Sequence, residues 1–238
     1  MDDGAQTIEN SLAMLKVAEE SGTTDLVCTP HANLQYQYNP STIRERLAEL
    51  GAKTNIRLYS GSDFHLSYDN IQDAIENPRK YTINQKNYLL VEFSDLIIFR
   101  NTAEIFGRIQ DAGMIPVITH PERNGLLRQR LDQIESWIEA GARIQVTAQS
   151  LTGRFGSRAL EFSESLLDKG LVHFIASDGH DVERRPPSMR EAHAWIAKKY
   201  SQETADLLCI ANPKAAIEGE PIAAAPAAAP RKWYKLWS

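Results

Sequence analysis

Acidic and imidazole side chains recur at one phase of this sequence, each closing a short apolar run. They are His31 in Cys28-Thr29-Pro30-His31, Asp63 and His65 in Gly61-Ser62-Asp63-Phe64-His65, Glu92 in Leu89-Leu90-Val91-Glu92-Phe93, His120 in Ile118-Thr119-His120-Pro121-Glu122-Arg123, and Asp178 and His180 in Ala176-Ser177-Asp178-Gly179-His180. A single histidine after a strand is more often a turn residue than a ligand, so no one of these positions carries weight alone. Their repetition at the same phase does. Histidines 31, 120 and 180 with Asp63, Glu92 and Asp178 make a mixed nitrogen and oxygen donor set, suited to divalent manganese, iron or zinc. Asp178-x-His180 is the most specific pair, because alternate residues at a strand end point the same way. His65 is expected to support the ligands, His173 to be a satisfied core histidine, and His193 to lie on the surface of a helix. Arginines stand beside this set: Arg123 three residues after His120, Arg185 before Pro186-Pro187, and Arg154 in the 150–156 loop. Guanidinium groups grip phosphate oxygens bidentately, which points to a phosphoryl substrate.

The elements that must position these residues follow a βα rhythm. Strand-like runs cover residues 25–31, 56–63, 88–93, 115–120, 143–147 and 172–178. Helical patterns fall between them at 42–50, 102–112, 131–140 and 159–169, with Gly51, Gly113, Gly141 and Gly170 suited to left-handed caps. Successive βα units build parallel sheets, open or closed as a barrel, and no glycine-rich phosphate fingerprint supports a nucleotide-binding open sheet. The expected fold is an α/β barrel whose strand ends share one mouth. The chain opens into a helix at 7–20 that no strand precedes. A barrel short of one strand keeps unpaired edges, so a strand is expected to be missing upstream.

Across 238 residues, 42% are hydrophobic and 24% charged, the composition of a folded domain. The net charge of -5 argues against nucleic-acid binding. No apolar run reaches the length of a membrane span, and the two cysteines, Cys28 and Cys209, form no metal or disulfide spacing, so a cytoplasmic location is expected. One domain is expected over residues 1–217. Residues 218–238 are expected to form an Ala/Pro linker ending in a basic aromatic tip at 231–237, able to touch a membrane surface weakly.

At Asp2-Asp3-Gly4-Ala5, Thr29-Pro30-His31, Leu90-Val91-Glu92-Phe93, His120-Pro121-Glu122-Arg123-Asn124, the 150–156 loop and Ala176-Ser177-Asp178-Gly179-His180 with Arg185-Pro186, the sequence resembles the PHP superfamily. More closely, it is similar to the bacterial tyrosine-protein phosphatases of capsule and exopolysaccharide operons. The resemblance implies a distorted seven-stranded β/α barrel holding three metal ions, usually manganese. It implies metal ligation by Asp3, His31, Asp63, Glu92, His120, Asp178 and His180, and phosphate binding by Arg123 and Arg185, with Arg154 a further substrate contact. His120, Arg123, Asp178, His180 and Arg185 are the implied catalytic set. The implied substrate is the phosphotyrosine cluster of a membrane-anchored tyrosine kinase.

Two departures follow. The family's His-x-His, on a first strand just before Asp-Asp-Gly, is absent, and Asp63 stands where relatives carry Glu, shortening that ligand by roughly 1.5 Å. Two other functions compete with protein-tyrosine dephosphorylation. One is a small-molecule phosphoesterase of histidinol-phosphatase type; the other is a catalytically impaired binding or regulatory protein.

Overall fold

The computed structural model describes residues 2–227. Eight short strands make up the six expected runs. The first run is split into β1 (Asp25–Cys28) and β2 (His31–Ala32), and the second into β3 (Arg57–Ser60) and β4 (Asp63–His65). Pro30 has no N–H to give the ladder, which accounts for the first break. The two runs stay joined across their breaks, because Gly61 N donates to Cys28 O at 3.0 Å and Asp63 N to Pro30 O at 3.1 Å. Only glycine fits at 61: a Cβ there would lie 2.9 Å from Val27 Cγ1 and 3.1 Å from Thr29 Cγ2.

β5 (Tyr88–Glu92), β6 (Ile115–Thr119), β7 (Arg143–Thr147) and β8 (Phe174–Ala176) follow, and all pairing is parallel: β1 lies beside β3, while β2, β4, β5, β6, β7 and β8 form a six-stranded sheet in that order, so each of the six runs pairs with the next. This consecutive winding makes a mixed α/β fold of parallel sheets. Among the described residues no ladder joins β8 to β1 or β2. A cleft of about 1700 Å³ lies between those edges, lined by Leu26 and Val27 on one side and Phe174 and Ile175 on the other.

The expected helices form as α1 (Ile8–Glu20), α2 (Pro40–Gly51), α4 (Thr102–Asp111), α5 (Leu131–Glu139), α7 (Ser157–Asp168) and α8 (Arg190–Lys199). Their starts are chemical: Thr7 caps α1 by accepting from Asn10 N, and Asn39 caps α2 ahead of Pro40. Gly113, Gly141 and Gly170 adopt positive φ as expected, but Gly51 ends α2 without it and Ala52 closes that helix. Further helices are not among those read from the sequence: α3 (Tyr68–Glu76), which buries Ile71 and Ala74, the single turn α6 (Ala148–Leu151), and α9 (Gln202–Asp206), which a π turn at Leu207–Ala211 joins to α10 (Asn212–Glu218).

Both faces of the sheet are buried. Leu89 and Val91 pack outward with Phe106, Ile109, Ile134 and Trp137 of the helices. Tyr88 and Leu90 face the other way with Val117, Phe174, Ile83 and Ile217. Burial on both sides is what parallel strands under crossover helices require. At the end of β5, Phe93 stacks on Trp137 with centroids 5.4 Å apart, and Phe106 meets the same indole edge-on. Each such pair adds roughly 0.5–1.5 kcal/mol beyond area burial and pins the residue that follows Glu92.

The expected Ala/Pro segment begins as packed chain. Tyr88 donates its hydroxyl to Glu220 O at 2.7 Å, Ala225 N reaches Val172 O at 3.1 Å, and Ala225 is buried. The basic aromatic tip at 231–237 lies outside the described residues. Among those described, no helix is long and apolar enough to cross a membrane. His193 is tied into the body as well, its Nε2 2.8 Å from Asp206.

His173 is the expected core histidine. It is 3% exposed, and its Nδ1 accepts from Ile144 N at 3.2 Å. Burial, with the nearby Arg143 charge, brings its imidazole down to about 4. In the unfolded chain it titrates near 6.5. Between these values the unfolded state binds the extra proton, so stability is full above about pH 6.5 and lost as pH falls toward 4. Urea unfolding should show this group removing up to roughly 3 kcal/mol over that window. His173→Gln should flatten the slope there, and an unchanged slope would contradict the assignment.

Candidate functional site

Side-chain alternation carries the inner phase of each strand up to the rim. Tyr88 and Leu90 lead to Glu92, Val117 to Thr119, and the phase of Phe174 and Ala176 to Asp178. Register does the rest, since His31 lies opposite Asp63 and His65 opposite Glu92.

His31 is the hub. Its Nδ1 is 3.6 Å from both Asp63 Oδ2 and Glu92 Oε2, and its Nε2 is 3.4 Å from Asp3 Oδ1. His180 Nε2 is 3.5 Å from the same Asp3 oxygen. His120 Nε2 is 3.6 Å from Asp63 Oδ2 and 3.8 Å from Glu92 Oε1. Two overlapping donor groups result: Asp3, His31 and His180, and His31, Asp63 and Glu92, each with donor atoms within 4.8 Å of one another. His65 Nδ1 stands 3.8 Å from Glu92, in the supporting place expected of it.

This geometry fits a divalent cation. The separations exceed those of N–H···O hydrogen bonds, about 2.7–3.2 Å. Two ligands bound to one ion at about 2.0–2.2 Å stand roughly 3–3.7 Å apart. His31 Nδ1 is moreover buried without a hydrogen-bond partner.

Asp178 is placed differently from the other expected ligands. Its Oδ2 accepts from both Arg123 Nη1 and Arg185 Nη2, while Oδ1 is 3.8 Å from His180 Nδ1. It thus couples the arginine pair to the imidazoles. Burial opposes its ionisation, yet the charges of His120, Arg123, Arg185 and His180 outweigh that and hold its carboxyl low. Burial likewise opposes the ionised Glu92, and His65, His120 and His31 together bring it down. For His120, burial disfavours the cation, but the hydrogen bond and charge of Asp63 prevail and raise its pKa.

His120 and Asp178 both sit in the left-handed region, at φ 36° and 51°. Such backbone costs roughly 1–3 kcal/mol per residue, so the surroundings must hold it. His120 N donates to Gln145 O at 2.9 Å, and the chain turns back through Arg123 N to His120 O. Beyond Asp178, His180 N donates to Arg185 O at 2.8 Å.

Several supporting residues escaped the sequence reading. Asp2 Oδ2 accepts from His31 N at 3.1 Å and so fixes the segment that presents Asp3. Glu122, fully buried, accepts from Thr147 N at 2.9 Å and Ser150 Oγ at 2.7 Å, tying the Arg123 turn to the base of the 150–156 loop. Arg128 braces that turn by donating to the carbonyls of Glu122 and Arg123. An acidic residue between Pro121 and Arg123 was a visible signal, but its buried role depends on β7 being adjacent. In the same loop Arg154 is exposed, and the guanidinium groups meet Phe155 instead, with Arg123 Cζ 4.5 Å from the ring centroid. Burial pushes the thiols of Cys28 and Cys209 up to about 12, which leaves neither as a thiolate nucleophile near neutral pH.

Known proteins share this sequence and architecture. Residues 1–218 match the family described as capsular polysaccharide synthesis, CpsB/CapC. A CapC protein of Staphylococcus aureus is 36% identical over 197 residues, spanning 80% of this chain and 77% of its own length. The tyrosine-protein phosphatase YwqE of Bacillus subtilis is 32% identical over 209 residues, with 85% and 82% covered. A crystallographic study of YwqE and of CpsB from Streptococcus pneumoniae, described as metal-dependent tyrosine phosphatases, provides a structure that superposes with a TM-score of 0.89 at 29% identity, covering 97% of this chain and 96% of that one. With a strand order, a donor cluster and a sequence match that agree along nearly its whole length, this chain belongs to the CpsB/CapC family.

Proposed function

We propose that this protein is a metal-dependent protein-tyrosine phosphatase acting on the phosphotyrosines of a bacterial tyrosine kinase that controls capsular or exopolysaccharide synthesis. One observation carries the reading: two arginines converge at the rim directly beside two overlapping groups of carboxylates and imidazoles. Asp3, His31 and His180 would hold one divalent ion, and His31 or His120 with Asp63 and Glu92 another, with Asp178 adjoining both. The mixed set of imidazole nitrogens and carboxylate oxygens accommodates manganese, the ion that the resemblance implies. Divalent ions held there would supply a nucleophilic water at neutral pH and polarise the phosphoryl group.

The chain's own residues do the rest. Arg123 and Arg185, braced by Asp178 and by the Arg128 turn, stand ready to take phosphoryl oxygens and stabilise charge as it spreads over them. His120 and His180 face the same space and would handle the proton of the departing oxygen. A phenol with a pKa near 10 needs little such help, which favours tyrosine over an aliphatic alcohol.

For the fold, we propose a distorted seven-stranded barrel completed by one further strand in the cleft between β1 and β8. Such a strand would run parallel to both edges and aim its end at the Asp3, His31 and His180 group, where Asp3 is still 49% exposed. Work on a membrane-anchored kinase would place the protein at the cytoplasmic face of the membrane, with the terminal basic aromatic segment able to touch it.

Two experiments test this reading. Asp178→Asn should lower manganese-dependent hydrolysis of a phosphotyrosine peptide by at least about a hundredfold, because the carboxylate charge that organises both arginines is lost. Undiminished turnover would remove Asp178 from the site. His31→Ala should weaken manganese binding, followed by titration calorimetry, by at least about tenfold; unchanged binding would place the metal elsewhere.

A further inference from the structure

The ring of Phe155 lies against both guanidinium groups that the proposed function assigns to phosphate. Arg123 Cζ is 4.5 Å from its centroid and Arg185 Cζ is 6.0 Å away, each within the range over which a cation is attracted to an aromatic face. The ring is part-exposed, so it is not simply core packing.

Its placement is built into the backbone. Gly153 and Gly156, at φ 79° and 85°, bracket the residue in left-handed turns. The loop closes on itself through Arg154 N to Gln149 O at 3.1 Å and Gly156 N to Gly153 O at 2.9 Å. At its base, Ser150 donates to Glu122 in the turn that also carries His120 and Arg123. Phe155 therefore stands on the same rigid foundation as the phosphate-binding group beside it.

We infer that Phe155 is a specificity-determining residue, providing an aromatic wall for the phenyl ring of an aryl phosphomonoester. This rests on the reading of Arg123 and Arg185 as phosphate binders. A phosphoryl group held by two guanidiniums that both border one ring carries its ester substituent beside that ring. Aromatic rings pair favourably at centroid separations of about 4.5–7 Å, offset or edge-to-face. A short alkyl substituent makes no such contact. Among the described residues, Phe155 is the aromatic ring that meets both arginines. Arg154, its exposed neighbour, takes no part in these contacts.

The test is equilibrium binding of two non-hydrolysable probes, phenylphosphonate and methylphosphonate, to the full chain in manganese buffer, read by titration calorimetry. The native protein should prefer the phenyl compound by about two- to tenfold. In Phe155→Leu, which keeps apolar bulk and removes the ring, that preference should collapse toward about one. In Phe155→Trp it should be kept or increased, and this second variant guards against a misfolded first one.

A native protein that binds both probes equally overturns the inference. So does a Leu variant in which both affinities fall together, since the ring would then only prop the arginines. Strong phenyl preference without manganese-dependent hydrolysis would leave Phe155 in its role and overturn the phosphatase reading instead. Binding of neither probe would remove the phosphate site and this inference with it.

Discussion

Like charges crowd the rim of this sheet. Asp63, Glu92 and Asp178 are drawn toward one mouth by parallel strands, with Asp3 brought over them by the opening segment, and burial makes each uncompensated carboxylate costly. The surroundings answer with cations and near-cations: His31, His120 and His180 among the carboxylates, and Arg123 and Arg185 on Asp178. The shifts of Glu92, Asp178 and His120 follow from this balance, with those two carboxyls held low and His120 raised against the pull of burial. On the proposed reading, a site arranged in this way would take a divalent ion between its carboxylates and an anion on its arginines.

The fold exists to hold that balance in place. Consecutive parallel pairing sets His31 opposite Asp63 and His65 opposite Glu92, and period-two alternation keeps Glu92 and Asp178 on the inner side. Below them, Tyr88, Leu90, Val117 and Phe174 fill the interior, with Ile217 of the C-terminal helix beneath. Glu122 then couples loops that are distant in sequence, so the arginine turn and the Phe155 loop share one support. Strained backbone at His120 and Asp178 is tolerated because so many contacts over-determine it.

Much of this was legible in the residues. All six strand runs could be read because apolar β-branched stretches ended in turn residues, and His31, Asp63, Glu92, His120 and His180 announced themselves by standing at the same phase. Asp178 was found by the same rule, although its contact with the arginines could not be foreseen, since it depends on how the 177–189 segment folds back. Asp2, Glu122 and Arg128 were missed for a common reason: each acts through backbone groups of another segment, which leaves no local pattern. Arg154 drew attention by its charge, while the side chain that meets Arg123 and Arg185 is that of Phe155, one residue on. The Ala/Pro stretch looked like pure linker, but Asn212 and Val172 supply partners for its first residues. The helices after residue 200 were obscured by Pro213 and a π turn, which interrupt the helical period.

Diffraction from crystals grown with manganese and phosphate, measured at the manganese absorption edge, tests the central claim most directly. Anomalous peaks are expected about 2.0–2.2 Å from donor atoms of His31, Asp63 and Glu92, with the anion on Arg123 and Arg185. Manganese bound elsewhere, or an anion that leaves both guanidinium groups untouched, would contradict it.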